Sequence, residues 1–141
     1  MTLKMDREQL QSFLRDQFPQ AKDDFKVLQV TPDCLTLGMA VGHNNLRPGD
    51  TVSGPTTFAL ADVAMYLAIL SHIGPKALTV TTSCAIDFMR KPVAGVPLIA
   101  KAQVLKLGRV LAVGHVLVYS QGDDAPVASA NLTYSIPPAS D

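Results

Sequence analysis

Two cysteines in 141 residues, Cys34 and Cys84, have no metal-ligand spacing, and 48% apolar content leaves no need for a disulfide staple. Both are expected to be buried thiols. Net charge is also missing: twelve Lys and Arg balance twelve Asp and Glu, so no global field draws the chain to nucleic acid or to an anionic membrane. Long apolar runs are absent as well. The longest, residues 63–70, is far short of the roughly 20 needed to cross a bilayer, and the opening MTLKMDREQL is too charged for a signal peptide. No membrane partner is expected, and the cytoplasm is the default location. His43, His72 and His115 stand apart from one another and from acids at ligand spacing, so no metal site is expected.

What is present is enough apolar residue to close one core and little room for a second, so residues 1–141 are read as a single domain. Ten of the 24 charges fall in residues 1–26, which marks a solvated N-terminal edge. Within it Leu10, Phe13, Leu14 and Phe18 recur at helical spacing, predicting an amphipathic helix over 6–18 that Pro19 stops. Residues 25–31 and 34–41 have strand composition around the turn signal Pro32-Asp33. The stretch 43–54 shows no period and reads as one long irregular loop. Pro55 then suits a first helical turn, and the run to Ile73 meets no further Pro or Gly until Gly74-Pro75. Between Phe58 and Leu70 only Asp62 and the amphipathic Tyr66 interrupt apolar residues. A helix apolar all round must be enclosed. Four strand-like runs, 78–89, 98–107, 110–120 and 127–136, supply the cover with short connections that favour antiparallel neighbours. The expectation is α+β: one long central helix wrapped by an antiparallel sheet of about six strands, plus a short N-terminal helix. No βαβ repetition supports a parallel nucleotide-binding sheet.

Asp62 most needs a reason, because a carboxylate in a buried helical segment is costly unless paired, hydrogen-bonded or open to a cavity. One reading is structural, a side chain satisfied by a backbone or tyrosine group. The other is catalytic, since a desolvated carboxylate is a sharper base or nucleophile. Ser53-Gly54-Pro55 runs into the helix N-terminus, where free N–H groups and the dipole can hold an oxyanion. Gly54 is the best donor by position, because proline has no N–H; a turn requirement is its plainer explanation. Met65, Tyr66, Ile69 and Phe58 read as core or interface residues, with the lining of an apolar tunnel as the functional alternative.

The loop and helix LRPGDTVSGPTTFALADVAMYLAIL, the strand IDFMRKP and the closing GRVLAVGHVLVYSQGDDAPVASANLTYSI resemble the hot-dog-fold acyl-CoA thioesterases related to those of phenylacetate degradation. That resemblance covers roughly residues 38–136. It implies a hot-dog fold, an acyl-CoA substrate, no cofactor, and a dimer joined sheet edge to sheet edge, usually doubled to a tetramer. The family loop carries an asparagine, a Gly-Thr pair, then His-Gly-Gly, with an acid nine residues after the histidine. Here Arg47 stands in the asparagine place, Asp50-Thr51 for Gly-Thr, Ser53-Gly54-Pro55 for the histidine motif, and Asp62 as the acid. The acid and the oxyanion glycine carry over; the asparagine and histidine, which the family uses to fix thioester and water, do not. Asn45 is a partial substitute two positions away, and Arg47 is placed to pair with Asp62 across a dimer. Thr81 matches the family's water-holding Ser/Thr, with Thr82 and Ser83 not separable by alignment. Ser53, Pro55 and Phe58 are assigned to the substrate side, and Arg90, Lys91 and Arg109 to the phosphates of a pantetheine carrier, although basic residues at strand ends are usually just solvated.

The resemblance therefore implies hydrolysis of acyl-CoA thioesters by Asp62 with Gly54 as oxyanion donor. The alternative is a hot-dog module that binds acyl-CoA or another apolar ligand without turnover. Hydration or dehydration of acyl thioesters ranks below both, because it needs an Asp/His pair and no histidine here is placed for it.

Overall fold

The computed structural model describes residues 2–21, 23–42, 45–47, 49 and 51–138. Its first helix, α1 (Arg7–Gln17), begins at a capping box: Gln9 N–H donates to the Asp6 carboxylate and Asp6 N–H to the Gln9 side chain, each at 2.8 Å. Leu10 and Leu14 point inward. Strands β1 (Phe25–Val30) and β2 (Leu35–Met39) form the expected hairpin. The outer edge of β1 does not stay open. The Gln11 amide on α1 donates to Phe25 O at 3.1 Å and accepts from Val27 N–H at 2.7 Å, covering that edge as a neighbouring strand would.

The stretch expected to be irregular contains a small antiparallel pair, β3 (Leu46–Arg47) with β4 (Thr51–Val52). Two residues are too few to display a period, so the sequence hid it. Helix α2 (Gly54–Ile73) follows, one residue earlier than the expected start, capped by Ser53 at its N-terminus and by Gly74 at φ 96° at its end. Then come β5 (Val80–Phe88), β6 (Leu98–Leu107), β7 (Leu111–Ser120) and β8 (Ala128–Ser135). The main sheet has the order β1-β2-β6-β7-β8-β5, antiparallel throughout. It wraps α2, giving the α+β hot-dog arrangement.

Small residues let the helix sit close. Ala100, Ala102, Ala112, Ala128 and Ala130 on the sheet and Ala61, Ala64 and Ala68 on α2 are all buried, and α2 packs on the strands β6, β7 and β8 that carry the first five. Gly114 on β7 makes the tightest seat, since a Cβ there would stand 2.2 Å from Met65 Cε. By length and composition α2 is long and apolar enough to cross a membrane, which the shorter run at 63–70 did not suggest, yet 67% of its apolar window is buried inside this domain. Cys34 and Cys84 are half-buried rather than fully buried, because each lies toward the rim of the sheet.

Strand β5 is the contrast to β1. It pairs with β8 on one side only, and along it and its flanks Leu78, Val80, Phe88 and Met89 are exposed, Leu78 by 77%. An open edge nine residues long, with exposed apolar side chains at its two ends, is a template for another strand.

Candidate active site

Asp62 lies mid-helix on α2, facing the junction of β5 and β8. Thr81 Oγ1 donates to its Oδ1 at 2.7 Å. Tyr134 OH reaches the same Oδ1 and also the Asp62 backbone carbonyl, the latter at 2.6 Å. A bulge in the β5–β8 register explains why Thr81 is the residue that arrives: Thr81 pairs with Tyr134, Ser83 with Thr133, and Thr82 is left over. Thr82 turns out to bond Thr133 O at 3.2 Å. Tyr134 is 1% exposed, and burial, then the Asp62 charge, push its phenol far above the ordinary tyrosine range. Cys84, inward on the same strand, is pushed up by burial first and by Asp62 second.

The second centre is the N-terminus of α2. Ser53 Oγ accepts from Thr56 N–H at 3.3 Å and donates to Thr56 Oγ1 at 2.8 Å, while Thr57 N–H donates to Ser53 O at 3.2 Å. Pro55 has no N–H. The Gly54 N–H meets no acceptor among the described residues. Asn45 steadies the approach: its Oδ1 accepts from Gly42 N–H and its carbonyl from Ser53 N–H, both at 2.8 Å. Arg47 contributes backbone to β3, its side chain lies outside the described residues, and so do His43 and Asp50.

Gly54 opens on a cavity of about 550 Å³ that is also lined by Thr57, Phe88, Arg90, Lys91 and Val127. The Phe88 ring leans on the glycine, 3.4 Å from where a Cβ would be. Arg90 and Lys91 thus share a wall with Gly54. Pro55 is exposed and Phe58 half-buried, and neither lines that cavity. Arg109, in the β6–β7 turn, lies at the opposite end of the sheet, because β7 starts beside Ser135 and reaches Ala128, beyond which Val127 lines the cavity, only at Val118. Among the described residues no three His, Cys, Asp or Glu side chains gather to hold a metal ion.

One chain does not join the two centres. Eight residues of helix separate Gly54 from Asp62, about 12 Å along the axis. The carboxylate is also absent from the cavity wall. Two residues of this geometry escaped the sequence reading, Phe88 and Tyr134. Tyr134 had a signal: it occupies an inward position in the alternating β8, and a buried phenol needs a partner just as a buried carboxylate does.

A helix wrapped by a six-stranded antiparallel sheet, with an acid on the helix and a glycine N–H at its start, defines a hot-dog thioesterase-type hydrolase. The chain belongs to the thioesterase superfamily, whose sequence pattern matches residues 49–127. It is closely related to the PaaI-like acyl-CoA thioesterases. It is 47% identical to a candidate thioesterase from Silicibacter sp., with a TM-score of 0.91 over 98% of this chain and 96% of that one. Similarity extends to the TT0310 protein of Thermus thermophilus, 31% identical over 84% and 97% of the two chains with a TM-score of 0.72. A phenylacetic acid degradation protein PaaI from the same organism is 29% identical over 84% and 99%, with a TM-score of 0.71. No curated protein matches the sequence.

Proposed function

We propose that the protein hydrolyses acyl-CoA thioesters to free acid and CoA, at two equivalent sites each built from two copies of the chain. The observation that carries the reading is a hydroxyl-tethered carboxylate, Asp62, in the same fold as a free helix-N-terminal donor, Gly54 N–H, opening on a cavity that bears Arg90 and Lys91.

Pairing of two β5 edges about a two-fold axis accounts for how the centres meet. Thr81, which holds Asp62, and Phe88, which leans on Gly54, lie at opposite ends of β5, roughly 20 Å apart. Antiparallel pairing exchanges the ends, so Asp62 of one copy faces Gly54 of the other. The same pairing covers the open β5 edge and the exposed Val80 and Phe88 at its ends. A second doubling to a tetramer is compatible with this arrangement.

In the reaction the thioester oxygen takes Gly54 N–H, and the helix dipole favours the charge that develops there. Asp62 accepts a proton from water as the water oxygen bonds to the carbonyl carbon. Collapse of the tetrahedral intermediate breaks the C–S bond, and the departing CoA sulfur takes the proton held by Asp62. Attack by the carboxylate itself, through a mixed anhydride that water then opens, uses the same geometry. Arg90 and Lys91 serve the carrier phosphates, and the chemistry needs no cofactor.

Replacement of the family's asparagine and histidine by Arg47 and Ser53 favours one rival, a module that binds acyl-CoA or another apolar ligand without turnover. A panel of acyl-CoAs with a thiol reporter separates the two. Hydrolysis predicts release of CoA that Asp62→Asn abolishes; tight binding with no release for any acyl group would establish the rival.

A further inference from the structure

The buried hydroxyl of Tyr134 has no part in the reaction above, yet it makes the closest contacts to Asp62. We propose that Tyr134 is a positioning residue for Asp62: jointly with Thr81 it occupies Oδ1, so that Oδ2 is the oxygen presented to water or thioester. The inference rests on the hydrolase reading and deepens it.

An aspartate side chain turns easily about its last torsion, where the preference is broad and two-fold. Two hydroxyls converging on one oxygen remove that freedom. Here they come from Thr81 and Tyr134, which are register partners on the adjacent strands β5 and β8. Oδ2 meets no donor among the described residues. Burial keeps water from competing for the phenol, and its upward shift keeps it protonated, hence a donor, throughout the working range of pH.

The phenol has one proton and two acceptors on the same residue, Oδ1 and the Asp62 carbonyl at 2.6 Å. While the carboxylate is charged, the charge-assisted bond to Oδ1 is the stronger. Once Oδ2 has taken the proton from water, the same hydroxyl can turn to the backbone carbonyl. Neither stage then leaves a buried polar group unsatisfied.

The test is Tyr134→Phe, which keeps the ring beside Tyr66, 6.4 Å between centroids, and removes only the hydroxyl. Loss of a hydrogen bond to a charged group corresponds to a fall in kcat of about 10- to 100-fold. KM should stay near wild type, because the hydroxyl does not touch substrate. Thr81→Ser should retain the activity that Thr81→Ala loses. A readout independent of turnover is the downfield, slowly exchanging hydroxyl proton of Tyr134 by NMR, which should vanish in Tyr134→Phe and move upfield in Asp62→Asn. Wild-type kcat in folded Tyr134→Phe would overturn the role of Tyr134 while leaving hydrolysis by Asp62 standing. A hydroxyl resonance indifferent to Asp62→Asn would overturn it equally, even if Tyr134→Phe failed to fold. A wild-type protein inert toward every acyl-CoA would overturn the hydrolase reading and this role with it, although the resonance would still report the bond.

Discussion

Replacing Asp62 by asparagine preserves shape and a Thr81 hydrogen bond while removing the group that accepts the proton. A general base contributes roughly 10²- to 10⁴-fold, so kcat should fall at least 100-fold with circular dichroism unchanged. A purely structural aspartate would give the reverse, a lowered melting temperature with near-wild-type rate per folded molecule. Cys84 reports on the same charge without any substrate. Its thiol is held above the ordinary value of 9.0, by burial and then by Asp62, so its thiolate should be scarce at pH 8 and alkylation should accelerate only at more alkaline pH. Asp62→Asn should move that rise part of the way down, since burial remains; an unmoved profile would mean that the charge does not reach Cys84. At this scale the sequence singled out Asp62 and Gly54 because each sits where its type is anomalous, a carboxylate inside an apolar helix and a glycine before a helix-starting proline. It could not choose among Thr81, Thr82 and Ser83, because the bulge that selects Thr81 is a property of pairing with β8. Tyr134 went unnumbered because alternation shows which face a side chain takes but not what waits across the core.

Helix α2 and the strands around it were legible because their signals are long: eighteen residues without a breaker, and four runs rich in β-branched side chains. The pair β3–β4 and the covering of the β1 edge by Gln11 were not, since both rest on a few backbone hydrogen bonds with no period. The fit of α2 on the sheet makes a sharp prediction at Gly114. A methyl there meets Met65 and also Gln103 O, 2.8 Å away and on backbone that cannot yield easily. Overpacking of this kind costs about 1–3 kcal/mol, so Gly114→Ala should lower Tm by several degrees; an unchanged Tm would mean that Met65 repacks freely. The end of α2 carries His72, 8% exposed with Nδ1 lacking a partner among the described residues. A cation there would suit the helix dipole, but burial prevails and holds the ring below the ordinary 6.5. The unfolded chain therefore binds more protons than the folded one once pH falls below about 6.5, and the stability that neutral His72 contributes is present above that value and lost below it. His72→Gln should flatten the fall in Tm between pH 6.5 and 5, and an equally steep fall would assign acid sensitivity elsewhere.

At the scale of the whole molecule the two ends of the sheet behave differently: the β1 edge is covered by α1, while the β5 edge is left open with exposed apolar side chains at both its ends. That asymmetry is why a second copy is expected on β5, and sedimentation at micromolar concentration should show a species of at least twice 15.0 kDa. Under the proposed function, the separation of Gly54 from Asp62 by about 12 Å of helix would make assembly a condition of activity rather than an accompaniment to it. Mixing two inactive variants tests this most directly. Asp62→Asn removes the carboxylate. Gly54→Pro removes the oxyanion donor at a position where helices accept proline, next to a Ser53 backbone already extended at φ −69° and ψ 152°. Each variant alone should be folded and at least about 100-fold slower than wild type. After subunit exchange, half the dimers are mixed and each mixed dimer holds one intact site of two, so the account predicts recovery to about a quarter of the wild-type rate. Two folded variants that exchange subunits and recover nothing would contradict it, because Asp62 and Gly54 would then have to serve one site within one chain.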